Sequence, residues 1–255
     1  MNKSIARAGQ ILDFFAETGR PAGISEIARL LDIPKSSASD CLYSLAEAGY
    51  LRIDDPARKT FALGQASARL GYAAMREYGV VRLARPELEK LCRKFGQTVF
   101  LAVPEGDRVT VMDKTEPPGR VQLILRVGDR FDMHMTAAGK AMLAAMSDEA
   151  VGDLLGTGCY AVHTSASIPT YSQLCRELAA IRERGWAAEN FEENSSIYGI
   201  AAPIYDCCDR VAAAISVPIL KSDLPSCDID AIAGAVMSAS LRVSATLQST
   251  KTTAY

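Results

Sequence analysis

Twice within the first fifty residues, apolar side chains fall at i, i+3, i+4 and i+7: Ile24, Ile27, Ala28 and Leu31, then Ala38, Cys41, Leu42 and Leu45. Asp32-Ile33-Pro34 makes a tight turn between the two helices, and proline suits the first turn of a helix. Two short amphipathic helices joined so tightly must pack face to face, which is the helix–turn–helix arrangement. Ser25 stands where a cap for the first of them is expected, and Gly49 ends the second. A longer stripe precedes them from Ser4 to Thr18, through Ile5, Ala8, Leu12 and Phe15, widened by Ile11 and Phe14. The segment Gly19–Gly23, with Pro21, breaks that helix.

The outer face of the second short helix carries Lys35, Ser36, Ser37, Ser39, Asp40 and Tyr43. Small hydroxyls and one cation can enter a major groove about 12 Å wide and donate to phosphates and base edges. Leu51 and Ile53 then alternate with polar residues, as do Phe61 and Leu63 beyond the turn Asp54-Asp55-Pro56-Ala57-Arg58-Lys59. That pattern predicts a β-hairpin with Arg58 and Lys59 near its tip, the wing of a winged helix. Helix, short helix, Pro-turn, polar helix and basic hairpin, in this order, point to double-stranded DNA as a partner. The plainer alternative is a small helical bundle with a solvated serine face. Composition does not decide between them. Residues 1–79 carry ten Lys/Arg against nine Asp/Glu and the remainder 18 against 21, so neither part is strongly basic.

The segments "SIARAGQILDFF", "ISEIARLLDIPKSSASDCLYSLAEAGYL" and "FALG" resemble the winged-helix domain of the IclR family of bacterial transcription regulators. Further on, "MHMTAAGKAMLAAM", "IRERGWAAENFEENSSIYGIAAPIYD" and "RVAAAISV" resemble that family's effector-binding domain, in the family's order and spacing. The resemblance implies a ligand-responsive regulator that binds a palindromic operator as a homodimer or homotetramer. Repression is the commoner sign in the family, and activation also occurs. Where members often carry a His-Arg-like pair in the recognition helix, this chain has Ser39-Asp40, so its base contacts are expected to differ. Lys35, Ser36, Ser37, Ser39, Tyr43, Arg58 and Lys59 are the expected DNA contacts.

Three parts follow: a winged helix over 1–64, a linker helix over 65–79, and an effector domain over 80–255. The linker's Ala66, Leu70, Ala73 and Ala74 offer apolar surface for contact between subunits. A further helix shows Val81, Ala84, Leu88, Leu91 and Phe95 at three- and four-residue steps. Strands are then predicted over 98–103, 108–114 and 121–126, helices over 137–146, 148–155 and 171–184, strands over 186–192, 199–205 and 211–219, and a last helix over 229–247. Thr170-Tyr171-Ser172-Gln173 reads as a capping box. The fold class is α+β with a largely antiparallel sheet and flanking helices, and the resemblance implies a GAF/PAS-like sensor.

Several motifs invite chemistry. Gly139-Lys140 fails as a phosphate loop, because His134 and Ala141 occupy the positions that need Gly and Ser/Thr. Glu189, Glu192 and Glu193 lack supporting motifs for glycoside hydrolysis; strand alternation puts Glu189 and Glu193 on one face and leaves Glu192 solvated or packed elsewhere. Ser216 has no G-x-S-x-G elbow, and neither His134 nor His163 has a triad context. Cys207-Cys208 has only Arg210 as a nearby cation and reads as structural thiols. Seven scattered cysteines without CxxC spacing predict reduced thiols, no disulfide frame and no metal site. No catalytic residue and no cofactor are expected. A small-molecule enzyme or sensor whose N-terminal helices mediate protein contacts is the alternative function. Asp13 and Glu17 interrupt what would be a signal peptide, and Val211–Leu220 is too short to span a bilayer, so a cytoplasmic protein away from membranes is expected.

By the family resemblance, Leu123 and Phe131 form one wall of the effector pocket with Ala137, Ala138 and Gly139 at a helix start. Glu189, Ile197, Gly199, Ser216 and Pro218 form the other. An organic acid would meet N–H groups near Ala138 and Gly139, while Glu189 and Ser216 take ligand hydroxyls or a bridging water. Gly199 and Pro218 stand where members can carry polar side chains, which implies a roomier, less polar pocket. A hydroxylated aromatic or sugar-derived acid is the expected effector, larger than a two- or three-carbon keto acid.

Overall fold

The computed structural model describes residues 3–70, 79–118 and 125–249. It divides into two units, Met1–Tyr78 and Gly79–Tyr255. The first holds α1 (Lys3–Thr18), β1 (Ala22–Gly23), α2 (Ile24–Leu30), α3 (Lys35–Glu47), β2 (Leu51–Asp55) and β3 (Thr60–Leu63). Ile11, Phe15, Ile27, Ala38, Leu42, Leu51 and Phe61 make its core. Helical periodicity supplies the first five and strand parity the last two. The outer end of the α1 stripe stays in solvent, with Ile5 exposed. The strands form an antiparallel sheet ordered β1-β3-β2, with Ala22 opposite Phe61. The sequence pattern did not call β1, because two residues are too short to show a period.

Two helix starts differ from expectation. α2 begins at Ile24 with Gly23 at its N-cap and no side-chain cap, so Ser25 falls inside the first turn. Pro34, expected within the first turn, is the N-cap of α3, with φ −54° and ψ 140°, and the helix starts after it at Lys35. Residues 65–70 are helical, with Ala66 buried and Leu70 exposed. Ala73 and Ala74 of the expected linker contact lie outside the described residues.

The second unit holds α4 (Gly79–Phe95), β4 (Val99–Glu105), β5 (Arg108–Thr115), β6 (Arg130–Asp132), α5 (Ala137–Ala144), α6 (Asp148–Leu155), α7 (Tyr171–Arg184), β7 (Ala187–Asn190), β8 (Ile197–Tyr205), β9 (Val211–Leu220) and α8 (Ile229–Ser249). Its six strands form one antiparallel sheet ordered β6-β5-β4-β9-β8-β7. Alternation assigns the faces. Val99, Leu101, Ile200, Ile215 and Val217 pack with α4 and α8, while Phe100, Ala102, Ala201 and Ala214 pack with α5 and α7.

The strand expected over 121–126 is not found at 125–126, and 121–124 lie outside the described residues. The strand before α5 is β6, whose Phe131 pairs with Val109. β7 stops at Asn190 because Phe191 takes φ +62°, a left-handed conformation that ends the alternation. Among the described residues no helix is long and apolar enough to cross a membrane.

Candidate functional site

In the first unit, α3 leaves Lys35, Ser36 and Asp40 exposed, with Ser37 and Ser39 half-buried beside them. No side chain caps this helix, so its first N–H groups stay open next to Lys35, an arrangement that suits a phosphate. Pro34, which has no capping side chain, could have signalled this in the sequence. Tyr43 is only partly available, because its ring meets Phe61 edge-on at 5.2 Å and ties α3 to β3. At the wing tip, Asp55 Oδ1 accepts from the Ala57 and Arg58 N–H groups at 2.8 and 3.1 Å, which fixes the turn. The Arg58 side chain is 84% exposed and lies 3.6 Å from Asp55. So exposed a pair is weak, and the guanidinium can exchange Asp55 for another anion. Lys59 is exposed and held at φ +52°.

In the second unit a cavity of about 160 Å³ opens beside the start of α5. Register builds it: Glu189 of β7 lies opposite Gly199 of β8, which lies opposite Pro218 of β9, and Ser216 lies opposite both Ala201 and Phe100. All of these but Ala201 line the cavity, on the sheet face away from α4 and α8. Of the expected residues, Phe131, Ala137, Glu189, Ile197, Gly199, Ser216 and Pro218 are brought together there. Leu123 lies outside the described residues. Ala138 and Gly139 do not line the cavity. The Gly139 N–H donates to Thr136 Oγ1 at 3.1 Å, and a Cβ at this glycine would lie 2.2 Å from the Met133 carbonyl oxygen. Gly139 is therefore a close-packing position rather than a ligand donor.

Phe100, Leu125, Thr136, Glu193 and Asn194 also line the cavity and were not anticipated. Phe100 could have been found by pairing β4 with β9. Alternation had put Glu193 on the face of Glu189, whereas Asn194, which also follows the left-handed Phe191, left no periodic signal.

The polar groups are organised in depth. Glu189 is 7% exposed, and the backbone of Ala137 at the start of α5 acts to lower its carboxyl's pKa. Burial, reinforced by the nearby Glu192, pushes this carboxyl up to about 8, with Lys140 acting against the shift. Glu192 is not solvated. Its Oε1 accepts from the fully buried Lys140 Nζ at 2.5 Å and from the Asn190 N–H at 3.2 Å, while its Oε2 is buried without a partner. Burial pushes Glu192 up, again opposed by Lys140. Ser167 and Thr164 hydroxyls hold the backbone carbonyls of Glu192 and Phe191, each at 2.7 Å. Glu193 Oε2 meets His163 Nδ1 at 2.6 Å. Ser216 is 3% exposed, and no described residue hydrogen-bonds its hydroxyl.

Gly199 does not enlarge the cavity as expected. A Cβ there would lie 3.1 Å from Glu189 Cβ and 3.2 Å from Glu189 Oε2, so the missing side chain makes room for Glu189 itself. His134 sits outside the cavity, near the Ala161 carbonyl at 3.3 Å, and burial pushes its pKa down. Cys207 and Cys208 are exposed, their sulfurs 3.8 Å apart. Among the described residues no cluster of three or more His, Cys, Asp or Glu could hold a metal ion.

A winged helix-turn-helix unit and a sheet-based sensor unit with its own small cavity define a ligand-binding DNA-binding regulator as a class. The IclR helix-turn-helix domain matches residues 4–55, and the domain described as bacterial transcriptional regulator IclR C-terminal matches residues 72–245. The chain belongs to the IclR family of bacterial transcriptional regulators. It is 30% identical over 242 residues to the HTH-type transcriptional regulator BhcR of Paracoccus denitrificans, covering 95% of this chain and 86% of that one. An IclR regulator structure from Alicyclobacillus acidocaldarius superposes with TM-score 0.86 at 26% identity, over 96% of this chain and 98% of that chain. An IclR homologue from Microbacterium hydrocarbonoxydans, solved with 4-hydroxybenzoate, superposes with TM-score 0.83 at 22% identity, over 97% and 100%.

Proposed function

We propose that this regulator binds a palindromic operator as a homodimer or homotetramer, and that a small metabolite in the second unit's cavity controls that binding. The observation that carries the DNA reading is the uncapped start of α3, with Lys35 beside its open N–H groups and the wing cations Arg58 and Lys59 in the same unit. Lys35, Arg58 and Lys59 hold phosphates; Ser36, Ser37 and Ser39 read base edges; Tyr43 positions α3 through Phe61 and offers its exposed edge. Two such units in one oligomer reach successive major grooves, with half-sites one helical turn or a multiple apart.

Effector control follows from differential affinity for the DNA-competent and incompetent arrangements, with coupling of about 1–3 kcal/mol. A cavity of about 160 Å³ suits a ligand the size of a single ring, since an engineered cavity of about 150 Å³ in another protein accommodates benzene. Phe100, Phe131, Ile197 and Pro218 supply its apolar walls, and Glu189 and Ser216 its polar pole. That favours a hydroxylated aromatic or sugar-derived ligand over a two- or three-carbon acid.

The test is a gel shift with the chain's own upstream intergenic DNA at two salt concentrations. Arg58→Ala and Lys35→Ala should each weaken binding across sequences and lower the salt slope by about one unit. Unchanged affinity and slope in both variants would refute the docking. Light scattering that returned the monomer mass, with and without DNA, would refute the oligomer.

A further inference from the structure

The core of the first unit fixes which side of α3 faces outward. Ala38 and Leu42 are both fully buried, and Asp40 stands midway between them. A position two residues away lies about 160° round a helix, so Asp40 marks the middle of the outer face. Ser36 and Ser44, one turn to either side, are exposed with it. The one cation of α3, Lys35, is five positions away, about 140° round the helix, and does not share that face. In the wing, Asp54 and Asp55 each have an arginine partner, Arg52 and Arg58. Among the described residues the Asp40 carboxylate has neither a hydrogen bond nor an ion pair.

We infer that Asp40 reads a cytosine in each operator half-site, accepting a hydrogen bond from its N4 amine. This rests on the reading of α3 as the helix that enters the major groove. With α3 so seated, the middle of its outer face comes nearest the groove floor. Ser36 and Ser44 are small enough to let a side chain as short as aspartate reach it, and Tyr43 is drawn back toward Phe61.

The chemistry of the groove then selects the base. A carboxylate only accepts, and on the major-groove edges only cytosine N4 and adenine N6 donate. Adenine sets its N7 acceptor beside that amine, which repels a carboxylate, whereas cytosine's own edge carries no acceptor. Guanine and thymine offer acceptors alone. Against any of these, Asp40 would be desolvated between phosphates with no donor, which costs more than leaving it in water. A free carboxylate at this point therefore penalises wrong bases more than it rewards the right one.

Selection from a randomised duplex library by gel shift, with the full chain as wild type, Asp40→Ala and Asp40→Asn, tests the assignment. The wild type should enrich a C·G pair at one position of each half-site. Replacing that pair in the enriched duplex should weaken wild-type binding about tenfold per half-site. Asp40→Ala should bind all four pairs there within about threefold of one another, and should bind the replaced duplexes more tightly than the wild type does. Asp40→Asn should move the preference to adenine, whose N6 and N7 match an amide. Both variants should melt as the wild type does, because no contact is lost, and should keep its salt slope, because no phosphate contact changes. An Asp40→Ala chain that kept the wild-type base preference, even with affinity raised uniformly on every duplex, would overturn the inference and leave the DNA reading standing. A wild-type chain that enriched no sequence would overturn that reading, and the inference with it.

Discussion

Replacing Glu189 by glutamine should make the stability of the second unit less sensitive to alkali. The perturbation is small in shape: the amide keeps the size of the carboxyl and one acceptor oxygen, and the ionisation is lost. In the folded protein the carboxyl rises from 4.5 to about 8 because burial disfavours its charge. Below about pH 4.5 it is protonated whether the chain is folded or not, so it has no effect on stability. As pH rises toward 8 the unfolded chain ionises while the folded one holds its proton, and stability is lost progressively, levelling off above the folded value. At roughly 1.4 kcal/mol per pKa unit, the full loss is about 5 kcal/mol. Between pH 5 and pH 8 the advantage of Glu189→Gln over wild type should therefore grow by about 3–4 kcal/mol. Trp186, the sole tryptophan, precedes β7 directly and reports the unfolding of this unit. Urea denaturation followed by its fluorescence at pH 5, 6, 7 and 8 measures the difference. A gap that stayed constant to within about 1 kcal/mol would mean that folded Glu189 is ionised, and the reasoning about its environment would fail.

Lys140→Met should destabilise the second unit by about 3–5 kcal/mol, because it leaves Glu192 buried and charged without its cation; adding Glu192→Leu should recover most of the loss in the same assay. Gly139→Ala should cost about 3 kcal/mol of stability, since its Cβ must displace the Met133 backbone, and calorimetric melting would detect it. Lys59→Gly should stabilise the first unit by about 1 kcal/mol by relieving the φ of +52°, yet lower the salt slope of operator binding by about one unit. A variant that melted higher and bound DNA unchanged would remove Lys59 from the interface.

Local pattern was enough to place α2, the turn at Asp32-Ile33-Pro34, α3 and the basic hairpin, because each follows from short-range periodicity and a single breaker residue. It also placed α7. There Thr170 Oγ1 accepts from the Gln173 N–H at 3.4 Å, one half of the capping box, while Gln173 Oε1 takes the Thr170 hydroxyl at 2.9 Å in place of the backbone N–H. Strand parity was legible too, and it aligns Gly199 with Glu189 once the strand order is known. β1 and β6 were not legible. Two and three residues carry no period, and both exist because a longer strand offers them an edge.

What the sequence determined by itself was therefore the inventory: which segments are helices, which side chains share a face, and which cations sit at the hairpin tip. Tertiary structure alone decided the chemistry of the cavity. Lys140 and Glu192 stand 52 positions apart, and only packing of α5 against the turn after β7 buries them together. Phe191 leaves the extended region there, and Glu192 is buried, which settles the choice alternation left open between a solvated and a packed carboxylate. Gly199 reads as lost bulk in one dimension and becomes the space for a carboxyl in three. The reason is common to all of these: burial and charge pairing depend on distances across the sheet, and a one-dimensional pattern encodes only distances along the chain.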